Sequence, residues 1–246
     1  MKDLFKDLEF NEEKHIYTLH GRRLPSVSAE VGKFYKKFDS DAIASAIARR
    51  QSSTQEEYKN KKEELLNQWA NTSKEAATLG SLVHKFAEDY LGSDRKILPK
   101  SDYEQTIVDF WNTMDSYEVV GIELRMYLEE LNLAGTLDLL LKKDGKYEIW
   151  DYKTNVDLFK NYKGQKMFKP FDDLLDTPYS HYILQQNYYK LMLEHKGIPV
   201  HDMNLVSIRP EGFEVINVPD VTDKLINYYE NIGINFNFQN TDKAEN

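Results

Sequence analysis

The sequence has no cysteine. That excludes a disulfide scaffold, thiol catalysis, a thiolate zinc site and a cysteine-ligated iron–sulfur cluster. Nor does it contain a run near the roughly 18 apolar residues of a membrane span. Its first residues, Met1-Lys2-Asp3-Leu4-Phe5-Lys6-Asp7, lack the apolar region of a signal peptide, so a soluble cytoplasmic protein without a membrane partner is expected. Basic charge is in short supply: 32 Lys and Arg against 41 Asp and Glu leave a net charge of −9. A protein that coats nucleic acid through its whole surface is excluded, whereas an enzyme with a local basic path is not.

What remains is a chain able to bury a core, with 41% hydrophobic and 30% charged residues. At roughly 150 residues per domain, its length admits one large domain or two small ones. We read one domain over 1–238, made of an N-terminal hairpin and helical section (1–72) and a core (73–238), with a disordered polar tail at 239–246. Phe10, Ile16, Tyr17 and Leu19 around His20-Gly21 suggest a small hairpin, and Ser26 or Ser28 after Pro25 caps a helix. Residues 40–69 read as helix. Thr72-x-x-Glu75 reads as a capping box opening a second helix that ends at Gly92, and Ser101 opens another. Then the texture changes. Val119 to Leu128, Leu133 to Leu141 and Tyr147 to Tyr152 read as strands, the last two joined at Asp144-Gly145. An irregular stretch, 155–177, precedes a helix over 179–194, strands near 205–208 and 213–218, and a last helix from Val221. The order gives an α/β or α+β core rather than a bundle.

The middle strands carry the chemistry. Alternation puts Asp151 and Lys153 on one face of their strand, and a tight turn at Asp144-Gly145 folds the Asp138 strand back beside them. Acid and amine at the end of an apolar strand are costly to bury unless they are paired or hold a metal. Two carboxylates at one point suit a hard cation, and a lysine beside them can orient or deprotonate a water. The acid-x-Lys triplet by itself decides nothing, because it recurs at Glu12-Glu13-Lys14, Glu57-Tyr58-Lys59 and elsewhere in polar segments. What sets Asp151 apart is its place inside a strand, after Gly135-x-x-Asp138.

Gly135-x-x-Asp138, thirteen residues before Asp151-x-Lys153, resembles the core of the PD-(D/E)XK nuclease superfamily in its RecB-like exonuclease branch. Three more segments match that branch in order. Leu24-Pro25-Ser26-Val27-Ser28 resembles the Leu-Pro-Ser-Val-Thr segment of small stand-alone members such as mitochondrial and phage exonucleases. Gly80-Ser81-Leu82-Val83-His84 resembles the Gly-x-x-x-His helix, and Gln185-Gln186-Asn187-Tyr188-Tyr189 the Gln-x-x-x-Tyr helix. The four iron–sulfur cysteines of many members are absent, and so is any helicase motif.

The resemblance implies an α/β fold, a central mixed sheet flanked by helices in a restriction-endonuclease-like core, with N-terminal helices arching over the cleft. It implies Mg²⁺ or Mn²⁺, one or two ions, held by His84, Asp138, Asp151 and the main-chain carbonyl of Tyr152. Lys153 and Gln185 then orient or activate the nucleophile. Glu88, one turn from His84, and Glu123, which resembles an acid near the metals of some members, are accessory candidates. The implied partner is DNA, single-stranded or with a free end, alongside recombination or replication proteins, with the chain itself a monomer.

Two further surfaces suit nucleic acid. Residues 159–169 hold four lysines and three aromatics without an acid, and lysines meet phosphates where aromatics stack on unpaired bases. Lys160, Tyr162, Lys163, Lys166 and Lys169 are the contacts expected there. Lys33, with Arg22, Arg23, Lys36 and Lys37, surrounds the segment of Ser26 and Ser28, where a helix N-terminus can receive a phosphate. Tyr189 is a further DNA-contact candidate from the family helix. The competing readings are a structure-specific or restriction-like endonuclease and a non-catalytic nucleic-acid-binding module with a vestigial site; a glycosidase-type carboxylate pair is remote.

Overall fold

The computed structural model describes residues 2–238, so the tail expected to be disordered, 239–246, lies outside the described residues. Three short strands, β1 (Leu8–Asn11), β2 (Ile16–Leu19) and β3 (Arg22–Leu24), form an antiparallel sheet in that order. They lead into a single-turn helix α1 (Val27–Val31), then α2 (Ser40–Gln51), α3 (Gln55–Gly92) and α4 (Asp102–Asn112). The second sheet holds β4 (Glu118–Leu128), β5 (Leu133–Lys143), β6 (Lys146–Lys153), β7 (Val200–Arg209) and β8 (Gly212–Asn217), adjacent in chain order. Helix α5 (Pro178–His195) connects β6 to β7, and α6 (Thr222–Asn231) follows β8.

This is the expected α/β architecture: a mixed sheet, antiparallel except where β6 runs parallel to β7, flanked by helices. A parallel pair needs a crossover, and α5 is that crossover. Because helices cover both faces, Ile149, Trp150, Asp151 and Tyr152 of β6 are all buried, so the strand is not a simple alternation. One face packs on α1, α5 and α6 through residues such as Val27, Leu184, Tyr188 and Leu225. The opposite face packs on α3 and α4 through Val83, Phe86, Phe110 and Trp111. Asp144 and Gly145 both take positive φ, 49° and 81°, the pair needed by the two-residue turn that returns β6 alongside β5. Among the described residues no helix is long and apolar enough to cross a membrane.

The structure departs from the sequence reading at the long helix. No helix starts at Thr72, whose hydroxyl donates back to the Gln68 carbonyl at 3.0 Å inside α3. The capping box lies instead at Thr54, whose Oγ1 accepts from Glu57 N at 3.1 Å while Glu57 Oε2 accepts from Thr54 N at 3.2 Å. Both stretches have the Ser/Thr-x-x-Glu pattern. Ser52-Ser53 precedes the first and breaks the helix, whereas helix formers surround the second, so only the first meets unpaired amides. Strand β7 also begins at Val200, earlier than expected, because parallel pairing with β6 recruits the polar His201-Asp202.

Candidate active site

Four chain segments meet over the neighbouring strands β5 and β6. The ladder between these strands pairs Leu139 with Trp150, and the next step along it sets Asp138 beside Asp151. From above, α3 presents Gly80 and His84 one turn apart toward the sheet, while Leu82 on its outer side is 62% exposed. Helix α5 brings Gln185 and Tyr189. The Leu24–Ser28 segment is tied down by Ala134 N, which donates to Pro25 O at 3.0 Å, and by a parallel bridge between Ser26 and Ala134. Ser26 also caps α1 by accepting from Ala29 N at 3.2 Å. These pieces enclose a cavity of about 410 Å³ that contacts Ser26, Ser28, His84, Glu123, Asp138, Asp151, Lys153, Gln185 and Tyr189.

The imidazole of His84 lies between two acceptors. Its Nε2 faces the Tyr152 carbonyl at 3.0 Å, and its Nδ1 faces Asp138 Oδ2 at 3.2 Å. The same Asp138 oxygen accepts from Tyr152 N at 3.1 Å. A neutral imidazole has one N–H and one lone pair, so it cannot satisfy both acceptors unless a positive charge sits on or beside the ring. A metal-binding histidine with its far N–H on a main-chain carbonyl meets this requirement. Glu123 completes the donor set: one ligand atom each from His84, Glu123 and Asp138 lie within 4.8 Å of one another. Two carboxylates and an imidazole fit a divalent cation that prefers oxygen. The Tyr152 carbonyl, the remaining expected ligand, is the acceptor for His84 Nε2.

Electrostatics agree. Burial, then the Asp138 charge, pushes the Glu123 carboxyl up to about 7. Burial and Asp138 likewise push Asp151 up to about 6, against the opposing pull of Lys153. Lys153 ion-pairs with Asp151 Oδ2, and its Nζ lies 4.3 Å from the centre of the Tyr182 ring. Burial disfavours the ammonium, but Asp151 and Asp138 together outweigh it and hold the lysine above its usual range. Glu123 takes a φ of 47°, a left-handed backbone rare for a residue in a strand and typical of functional positions under strain.

Other expected contacts lie elsewhere. Glu88 bonds Lys85 at 3.3 Å and faces a separate cleft of about 280 Å³ on the far side of Glu123. Lys33 pairs with Glu30 at 2.7 Å. Lys160, Tyr162, Lys163, Lys166 and Lys169 do not line the cavity. Their loop is anchored by buried Met167 and Phe171, and by Phe168 N donating to Phe34 O at 2.6 Å, while Tyr162 is 64% exposed.

Three residues escaped the sequence reading, one behind Lys153 and two in the wall of the cavity. Tyr182 supports Lys153 and donates to Asn155 Oδ1 at 2.8 Å. Its spacing to Gln185 and Tyr189 along one helical face was the available signal. Tyr17, whose hydroxyl pairs with Thr136 Oγ1 at 2.8 Å, and His15 at the hairpin turn also line the cavity. Nothing local in the sequence marks them, since only the tertiary fold lays the hairpin over β5.

The glycine at 135 is explained by closeness rather than by its backbone. A Cβ there would lie 2.7 Å from Tyr189 Cε1 and 2.9 Å from Val27 Cγ2. Both neighbours are buried and cannot swing away. Gly135→Ala is therefore expected to destabilise the protein by about 1–3 kcal/mol in urea unfolding. An unchanged midpoint would refute this close approach.

A sequence model of the PD-(D/E)XK nuclease superfamily matches residues 46–223, most of the chain and every acidic or basic residue placed around the cavity except those of the N-terminal hairpin. The chain belongs to the PD-(D/E)XK nuclease superfamily. It is thus a nuclease-type hydrolase with nucleic acid as its substrate class, and nucleases of this superfamily use divalent metals. No curated protein matches the chain.

Proposed function

We propose that this protein is a divalent-metal-dependent DNA exonuclease of the RecB-like branch that works from a free, preferably single-stranded end. One observation carries the reading: four short segments far apart in the chain, Leu24–Ser28, Gly80–His84, Gly135–Lys153 and Gln185–Tyr189, converge on a single cavity. At about 410 Å³ it has the size of a small-ligand site, suited to one or two nucleotides and too small for a duplex.

His84, Asp138 and Glu123 hold the ion, with Asp151 alongside. When bound, Mg²⁺ or Mn²⁺ neutralises charge on the scissile phosphate and lowers the pKa of a water. The protein's own groups do the positioning. Lys153, kept charged by the neighbouring carboxylates, donates hydrogen bonds to the phosphate or the attacking water and orients it. Gln185 Nε2 donates to the Tyr189 hydroxyl at 3.4 Å, which leaves its Oε1, without a partner in the protein, to accept from that water. Ser26 and Ser28 face the same cavity and offer hydroxyls to the phosphate. The lysine-rich loop is an outer contact for the strand, since Tyr162 and Phe159 expose ring surface on which bases can stack.

The test compares linear and covalently closed circular single-stranded DNA with Mg²⁺ or Mn²⁺. Linear DNA is expected to be degraded while the circle survives. Equal cleavage of both would replace the exonuclease reading with the endonuclease one.

A further inference from the structure

A second, larger cavity of about 750 Å³ lies behind the catalytic one. The two share three lining residues, Gly80, His84 and Lys153, so they meet at the lysine. The walls of the second differ in chemistry. Tyr103 from α4 and Tyr182 from α5 bring phenol rings, and Thr154 and Asn155 bring a hydroxyl and an amide. Apart from the shared His84 and Lys153, its one charged side chain among the described residues is Glu75, which repels phosphate. Rings with neutral hydrogen-bonding groups fit a nucleobase, which presents a flat face and an edge of donors and acceptors.

Gly80 stands at the junction. It lies inside α3, where glycine is unfavourable relative to alanine. Its backbone is ordinary helix, and a Cβ would meet nothing closer than Thr154 Oγ1 at 3.7 Å. Neither strain nor crowding calls for glycine here, in contrast to Gly135. What the missing side chain leaves open is the gap between the two cavities.

We propose that the larger cavity is a nucleobase subsite, receiving the base of the nucleotide beside the scissile phosphate, and that Gly80 is bare so that the strand can pass from one cavity to the other. The proposal rests on the nuclease reading of the smaller cavity. It distinguishes substrates by size: a polynucleotide fills both cavities, whereas bis(p-nitrophenyl) phosphate, an activated phosphodiester with no base edge and no continuing strand, is cleaved without needing the passage between them.

The experiment measures kcat/KM on end-labelled oligothymidylate and on bis(p-nitrophenyl) phosphate, both with Mn²⁺, for the wild type, Gly80→Ala, Gly80→Leu and Tyr103→Ala. Gly80→Leu and Tyr103→Ala are each expected to lower the oligonucleotide-to-ester ratio by about tenfold, the usual effect of losing one base contact. Gly80→Ala, which puts a single methyl into the gap, is expected to lower the ratio less, by about threefold. Unchanged ratios in Gly80→Leu and Tyr103→Ala overturn the subsite, and so does an equal loss on both substrates, which places the damage at the catalytic cavity. A wild-type protein inactive on both substrates brings down the nuclease reading, and this proposal with it.

Discussion

Lys153→Ala is expected to lower cleavage of labelled single-stranded DNA by about 10³-fold while the DNA is still bound, the size of effect associated with losing one preorganised charged donor at the reacting phosphate. Its side chain is 12% exposed, ion-paired with Asp151, and backed by the Tyr182 ring. Among the described residues no other lysine lines the cavity to replace it. A structural cost accompanies the catalytic one, because removing one partner of a buried pair leaves Asp151 uncompensated, at about 3–5 kcal/mol. The two effects separate in the double variant Lys153→Ala with Asp151→Asn, which removes the orphaned charge. That variant is expected to regain thermal stability and remain inactive. Cleavage by Lys153→Ala within a factor of about two of wild type would remove the lysine from the mechanism.

The second large effect belongs to Asp138. Its Oδ2 touches His84 Nδ1 and the Tyr152 amide, so Asp138→Asn withdraws a charge from the ion and a partner from the imidazole at once. Loss of several kcal/mol of charge stabilisation corresponds to about 10³-fold in rate. Manganese affinity, followed by calorimetry, should fall with it. The pH profile provides a separate check. Ion binding needs ionised carboxylates, and burial together with Asp138 raises Glu123 to about 7 and Asp151 to about 6. Wild-type affinity is therefore expected to decline as pH falls through that range. In the ion-free protein the linkage has the opposite sense. Between the unfolded-chain values of 4.5 and 3.8 and these raised ones, the native state holds protons the unfolded chain has released, so these two groups make the fold less stable as pH rises. Asp138→Asn lowers both raised values and shifts each profile toward acid. Profiles unmoved by the substitution would show that Asp138 does not govern its neighbours.

Some of this arrangement is legible in the amino-acid sequence. The β5–β6 hairpin is, because Asp144-Gly145 specifies a two-residue turn and strand alternation then aligns Asp151 with Lys153. The helix of His84 is legible in substance but not in extent, since Ser/Thr-x-x-Glu recurs at Thr54 and at Thr72 and the pattern cannot tell which copy meets free amides. Glu123 is visible only as an acid near a strand end, and the structure brings its carboxylate to His84 and Asp138 through a left-handed backbone that nothing in its neighbours announces. The lysine-rich loop is a different case: its composition suits nucleic acid, but only the structure shows that Met167 and Phe171 bury themselves and set its lysines outside the cavity.

By itself, then, the sequence determined the fold class, the acid-and-lysine pair on one strand face and the absence of any thiol chemistry. These follow from local periodicity, turn residues and composition, which act over a few residues. The tertiary structure alone decided which groups share the cavity: that Tyr152 orients His84, that Tyr182 backs Lys153, that Gly135 is pressed against Tyr189 while Gly80 faces open space. Those relations join segments far apart along the chain, and packing of helices on both faces of a twisted sheet, rather than any local preference, sets the distances between them.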